Sequence, residues 1–163
     1  MMAYHPVVQQ ILDLIRQRGS WHETFEHGEV LTSEQAAQTR PGYTLGQGVK
    51  AMIVKAYTSK SDGRFVMLTF PADRKFDSKK VQTALGVKNL RFATMEEVTE
   101  ATGGVQPGGV PPFGNLFGLD MYADPAIFEN EKIVFNAGDR KFSVAIKSAD
   151  WKNLVNPKPA NII

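Results

Sequence analysis

Apolar side chains recur every three to four residues at Val7, Val8, Ile11, Leu12, Leu14 and Ile15, with Asp13, Arg16 and Arg18 opposite. That period predicts a helix over residues 4–18. Pro6 suits its first turn and Gly19 stops it. A short strand is expected over 21–26. Thr32-Ser33-Glu34-Gln35 matches a capping box that opens a helix toward Thr39, and Arg40-Pro41-Gly42 ends it. Residues 51–57 and 64–70 are β-prone runs joined by Ser59-Lys60-Ser61-Asp62-Gly63, whose Asp-Gly pair supports a turn. Asp77 caps a helix through Leu85 that Gly86 closes, a short strand follows at 89–92, and Thr94-Met95-Glu96-Glu97 is a second capping box. Beyond Gly103-Gly104 lies a glycine/proline loop. After it come a strand near 119–122, a turn at Asp124-Pro125 and a strand pair at 133–136 and 142–147. A short helix capped by Ser148 completes the set, and Asn156 to Ile163 reads as a tail in which Asn156-Pro157-Lys158-Pro159 is disordered-looking.

Strands arriving in hairpin-like pairs, with helices between, predict an α/β (α+β) fold. The expectation is a mixed, largely antiparallel, barrel-like sheet surrounded by helices, not a doubly wound parallel one. Residues 1–155 form one expected domain and 156–163 its tail.

Composition narrows the function. A 163-residue chain with 42% hydrophobic residues can bury a real core. A net charge of +2 means that any RNA contact must rest on a local patch. The absence of cysteine excludes disulfides, thiolate nucleophiles and Cys-ligated zinc. Residues 1–10 lack the pattern of a signal peptide and no apolar run approaches a bilayer span, so a cytoplasmic protein without membrane contact is expected.

Candidate chemistry centres on two segments. Gly108-Gly109-Val110-Pro111-Pro112-Phe113-Gly114 combines restricted and permissive backbone, which suits a rigid loop aiming main-chain N–H groups at a ligand oxygen. Far upstream, Lys50 stands at the start of an apolar run. Alone, Lys50 fits a snorkelling strand residue and the loop fits a turn. Together they point to a site for a polyanionic or ester-bearing ligand. Gly46-Gln47-Gly48-Val49-Lys50-Ala51 matches G-x-G-x-x-A, but β-prone residues follow where a dinucleotide fold needs a helix. His5, His22 and His27 form no metal motif, and neither a metal nor a cofactor is expected. There is no G-x-S-x-G elbow. Among the acids, capping and turn roles account for Asp77 and Asp124.

Several ordered pieces carry a resemblance: Thr32 to Ala37, Gly48-Val49-Lys50-Ala51, Pro71 to Asp77, Ala93 to Val98, Gly108 to Gly114 and Asn136-Ala137-Gly138. In order and spacing the chain resembles the YbaK/prolyl-tRNA synthetase-associated editing domain family of trans-editing aminoacyl-tRNA deacylases. The resemblance implies hydrolysis of the ester joining a wrong amino acid to the 3′ end of tRNA, with the terminal ribose hydroxyl helping to activate water. It maps the family's lysine onto Lys50 and its GxxxP loop onto Gly108, Gly109, Val110, Pro111 and Pro112. His27, Thr32, Pro111, Phe113, Gly114, Gly138 and Asp139 are the expected substrate-side residues. A narrow loop beside Phe113 favours small amino acids. Asp139 and Arg140 stand where some relatives carry a histidine. The implied partners are the aminoacyl-tRNA 3′ end and an aminoacyl-tRNA synthetase. A non-catalytic tRNA-acceptor or synthetase-binding module, and a hydrolase of small esters or nucleotides, remain as alternatives.

Overall fold

A computed structural model of the protein describes residues 3–29 and 32–163. Met1 and Met2, which head the segment read as lacking a leader, lie outside the described residues.

The apolar stripe of the first segment forms helix α1 (Pro6–Gln17), which buries Val7, Val8, Ile11, Leu12 and Ile15. It packs on strand β6 (Lys132–Asp139). That strand is the edge of a three-stranded antiparallel sheet in the order β1 (His22–Glu26), β7 (Phe142–Lys147), β6. A second, five-stranded sheet runs β4 (Asn89–Phe92), β2 (Val49–Tyr57), β3 (Arg64–Pro71), β5 (Asp120–Ala123), β8 (Lys158–Pro159). The 58–63 turn forms as expected, with the Asp62 carboxylate accepting the N–H groups of Thr58 and Ser59. β2 pairs antiparallel with β3 and β4.

The far half of this sheet differs from the hairpin expectation. β5 joins β3 in parallel, and β8 joins β5 in parallel. Nor do the ladders close into a barrel. Among the described residues, one isolated parallel bridge, Gly48 to Val134, pins the two sheets to each other. The fold is therefore mixed α/β with two open sheets. Both capping boxes form, opening α2 (Ser33–Gln38) and α4 (Met95–Ala101). Asp77 caps α3 (Ser78–Leu85), and Gly86 ends it in the left-handed region at φ 66°. Ser148 does not cap its helix. It is the first residue of α5 (Ser148–Val155), and its hydroxyl instead donates to the Asn130 carbonyl.

The segment from Asn156, read as a tail with a disordered-looking start, is built into the fold. Besides contributing β8, it buries Ile162 completely, and the Asp124 carboxylate accepts the N–H groups of Ile162 and Ile163. Isolated Pro and Lys residues disguised a segment whose anchor is one apolar side chain and a distant carboxylate.

Candidate functional site

The bridge between the sheets creates the site. β2 and β6 touch at Gly48 and Val134, and two residues further along each strand stand Lys50 and Asn136. β4 covers the outer edge of β2 only from Val54 onward. The edge from Lys50 to Met52 therefore borders an open cleft of about 440 Å³. Gly108 and Val110 of the glycine/proline loop line it, together with Thr32, Ala36 and Ala37 of the α2 region. The lysine and the loop, remote in the chain, share one hollow. Lys50 is half-buried and has no ion pair among the described residues.

The loop's rigidity has identifiable sources. Gln106-Pro107-Gly108-Gly109 is a type II turn: the Gly109 N–H donates to the Gln106 carbonyl at 2.9 Å, and Gly108 adopts φ +91° at the position that demands glycine. Arg140 Nε donates to the Pro107 carbonyl at 2.7 Å, and Asn136 Nδ2 donates to the Gly108 carbonyl at 2.6 Å. Further on, the buried Trp151 Nε1 donates to the Pro112 carbonyl at 2.9 Å. Prolines supply no N–H, and the amides of Gly109 and Phe113 are consumed within the loop. Two donors remain. The N–H groups of Gly108 and Val110 have no hydrogen-bond partner among the described residues, and both residues face the cleft.

Behind the loop lies a polar cluster that motif reading did not select. Arg40, only 6% exposed, donates from Nε to Ser143 Oγ at 3.0 Å and from Nη2 to Asn136 Oδ1 at 2.9 Å. Arginine cannot accept, so Oδ1 must be the atom facing it, and Asn136 Nδ2 is thereby turned onto Gly108. Burial lowers the Arg40 pKa from 12.5 to about 10, which leaves the guanidinium charged at neutral pH. His27 Nε2 meets Ser143 Oγ at 2.8 Å, and its Nδ1 meets the Gly28 carbonyl at 2.8 Å. His27 thus stands behind the cleft, one hydrogen bond from Arg40's partner, and does not line it.

Of the expected site residues, Lys50, Gly108, Val110 and Thr32 come together. Thr32 both lines the cleft and caps α2. The rest lie elsewhere for clear reasons. Gly109 faces the main chain of Asp139 and Arg140, where an added Cβ would stand 3.3 Å away. Pro111, Pro112 and Gly114 are buried behind the loop. Phe113 is wholly buried against Phe135, with ring centroids 5.5 Å apart, so it does not narrow the cleft. Gly138 is occupied by packing, since a Cβ there would meet Val7 Cγ1. Asp139 caps the Lys141 N–H, and Arg140, which stands beside it, pairs with Glu29. Asp139, Arg140 and Gly138 face a second cleft with Tyr4 and His5. Gly46 to Ala51 runs from a 3-10 turn into β2, which removes the dinucleotide alternative. Arg40 and Asn136 were missed because they sit in ordinary contexts, a helix end and a strand. The Asn136-Ala137-Gly138 segment was the signal that pointed nearest to them.

Comparison with known proteins follows the same geometry. The model of the aminoacyl-tRNA editing domain matches residues 27–154, a stretch that spans α2, both cleft strands and the loop. The chain belongs to the aminoacyl-tRNA editing domain family. Within that family, it is 33% identical over 156 residues to the Multifunctional Ser/Thr-tRNA deacylase ProXp-y of Escherichia coli (strain K12), covering 94% of this chain and 90% of that protein. It is also 36% identical over 74 residues to a proline–tRNA ligase of Bacillus licheniformis, covering 45% of this chain and 13% of the ligase. Its fold matches a solved structure described as a candidate trans-editing enzyme for prolyl tRNA synthetase. The TM-score is 0.81 with 24% identity, and 98% of each chain is covered.

Proposed function

We propose that this editing-domain protein is a trans-acting hydrolase that deacylates mischarged aminoacyl-tRNA by water attack on the 3′ aminoacyl ester. One observation carries the reading: Lys50 and the unpaired amides of Gly108 and Val110 line one cleft. The cleft offers no Ser, Cys or His nucleophile–base pair among its described lining residues, which favours direct attack by water over an acyl-enzyme. As water adds to the ester carbon, the carbonyl oxygen gains charge. The two amides are the groups to receive it, each worth on the order of 10²–10³ in rate. The tetrahedral intermediate then collapses, expelling the ribose oxygen, which takes a proton. A neighbouring ribose hydroxyl of the tRNA orients the water. Lys50 holds the terminal nucleotide as a compact cation.

The substrate side of the cleft is lined by Ala36, Ala37, Ala51 and Val49, which suits a small amino acid. With a relative named for Ser/Thr-tRNA, we assign serine and threonine esters as the substrate class. The implied partners are the acceptor end of tRNA and a prolyl-tRNA synthetase. The site of action is the cytoplasm; among the described residues no helix is long and apolar enough to cross a membrane. The two sheets pinned at Gly48–Val134 serve as an open version of the barrel-like sheet that the resemblance implies.

The test is hydrolysis of a panel of misacylated tRNAs. Wild-type protein should release serine or threonine. Lys50→Ala should lose most of that activity, roughly a hundredfold, with an unchanged melting temperature. Full activity in Lys50→Ala would remove the lysine from the mechanism. Salt-dependent tRNA binding without cleavage would favour a binding module instead.

A further inference from the structure

Arg40 carries more charge than its structural role requires. Its visible work is to hold Ser143 and Asn136, two neutral groups that a neutral amide could serve. A buried cation without a counter-charge is costly, yet Arg40 has no ion pair among the described residues. Glu34 is the lone carboxylate among the described residues that line its cleft. Nη1 makes no hydrogen bond to the described residues. No fully buried side-chain nitrogen or oxygen among them is left unpaired, so Nη1 is not fully enclosed, and Arg40 is one of the residues that line the cleft. Nη1 lies beside Gly48, where an added Cβ would stand 3.7 Å from it, and Gly48 is two residues before Lys50 on the same edge.

We propose that Arg40 is a phosphate-binding residue, which receives the phosphate of the substrate's terminal nucleotide on its free Nη1. The proposal rests on the editing reading of the cleft. In an aminoacyl ester of RNA the amino acid's carboxyl group is consumed and its amino group is cationic. The phosphates are then the anions left to satisfy a buried guanidinium, whose planar donors suit them. Arg40 and Lys50 approach that phosphate from two different segments of the chain.

The test compares binding of adenosine 5′-monophosphate and adenosine by calorimetry. Wild-type protein should prefer the monophosphate by roughly tenfold or more. Arg40→Gln, checked for folding by its melt, should lose most of that preference and keep only the share that Lys50 supplies, and Arg40→Lys should keep more of it. In wild-type protein, the monophosphate but not adenosine should shift the NMR signals of the Arg40 guanidinium, a readout that needs no variant to fold. Equal or undetectable binding of both ligands by wild type, an undiminished preference in Arg40→Gln, or an unmoved guanidinium signal would each overturn the proposal. If the preference holds but no aminoacyl-tRNA is cleaved, the editing reading fails and the phosphate site stands.

Discussion

Asn136 shows how a single side chain fixes the aim of the loop. Arg40 and the hydroxyl of Ser143 crowd its oxygen, so its amide nitrogen must reach the Gly108 carbonyl, and the peptide plane there is set. That plane carries the Gly109 N–H; the neighbouring plane, which carries the Gly108 N–H, is held by Arg140 Nε on the Pro107 carbonyl. Little of this was legible in the chain. Lys50 and Gly108 announced themselves through short motifs whose glycines and prolines constrain the backbone locally. Arg40 and Asn136 are 96 residues apart, and their meeting depends on the β6–β7 register that pairs Asn136 with Ser143. No local pattern encodes that. Gly138 shows the reverse error: a glycine read as a ligand-side residue makes room for a helix. Gly138→Ala forces a Cβ into Val7 at φ +107°, and the expected cost is about 2–4 kcal/mol of stability from strain and overpacking. Denaturant unfolding measures it, and a loss below about 0.5 kcal/mol would mean that α1 moves aside freely.

Elements were more legible than residues because their signals are local. The helices at α1, α2, α3 and α4 follow from apolar period and caps, and they appear within a few residues of their expected bounds. β5 was expected near 119–122 and forms at Asp120–Ala123, but its parallel pairing and the whole of β8 were hidden, since parallel pairing leaves no hairpin turn in the sequence. α4 illustrates a cap reinforced by charge. Glu97 accepts the Thr94 N–H and is gripped by Arg91 through both carboxylate oxygens. The Arg91 hydrogen bonds, then the Thr94 N–H, hold its carboxyl down to about 2 from an ordinary 4.5. The folded pKa is the lower one, so this contribution is complete above pH 4.5 and is lost as pH falls through about 2. Carboxyl-carbon NMR should give a Glu97 midpoint near 2, returning toward 4.5 in Arg91→Ala. An unmoved midpoint in that variant would assign the shift to the cap alone.

At the scale of the molecule, the two sheets meet at the Gly48–Val134 bridge among the described residues, and the candidate cleft follows from their parting beyond it. The class of fold was legible from the alternation of strand pairs and helices. Closure into a barrel was not, because closure depends on which strand edges meet, and here Gly48 and Val134 meet while Lys50 and Asn136 face a gap. α1, α5 and the terminal segment hold that arrangement from outside, through Gly138, Trp151 and Asp124. The proposed editing site is thus a property of the assembled chain, with the cation on one sheet and the amides on a loop clamped to the other. Amide NMR during titration with a 3′-aminoacylamide analogue of adenosine, which the protein cannot hydrolyse, tests this directly. The Gly108 and Val110 N–H signals should move downfield together and saturate with one binding constant. Shifts confined to the cleft around His5 and Asp139, with Gly108 and Val110 unmoved, would contradict it.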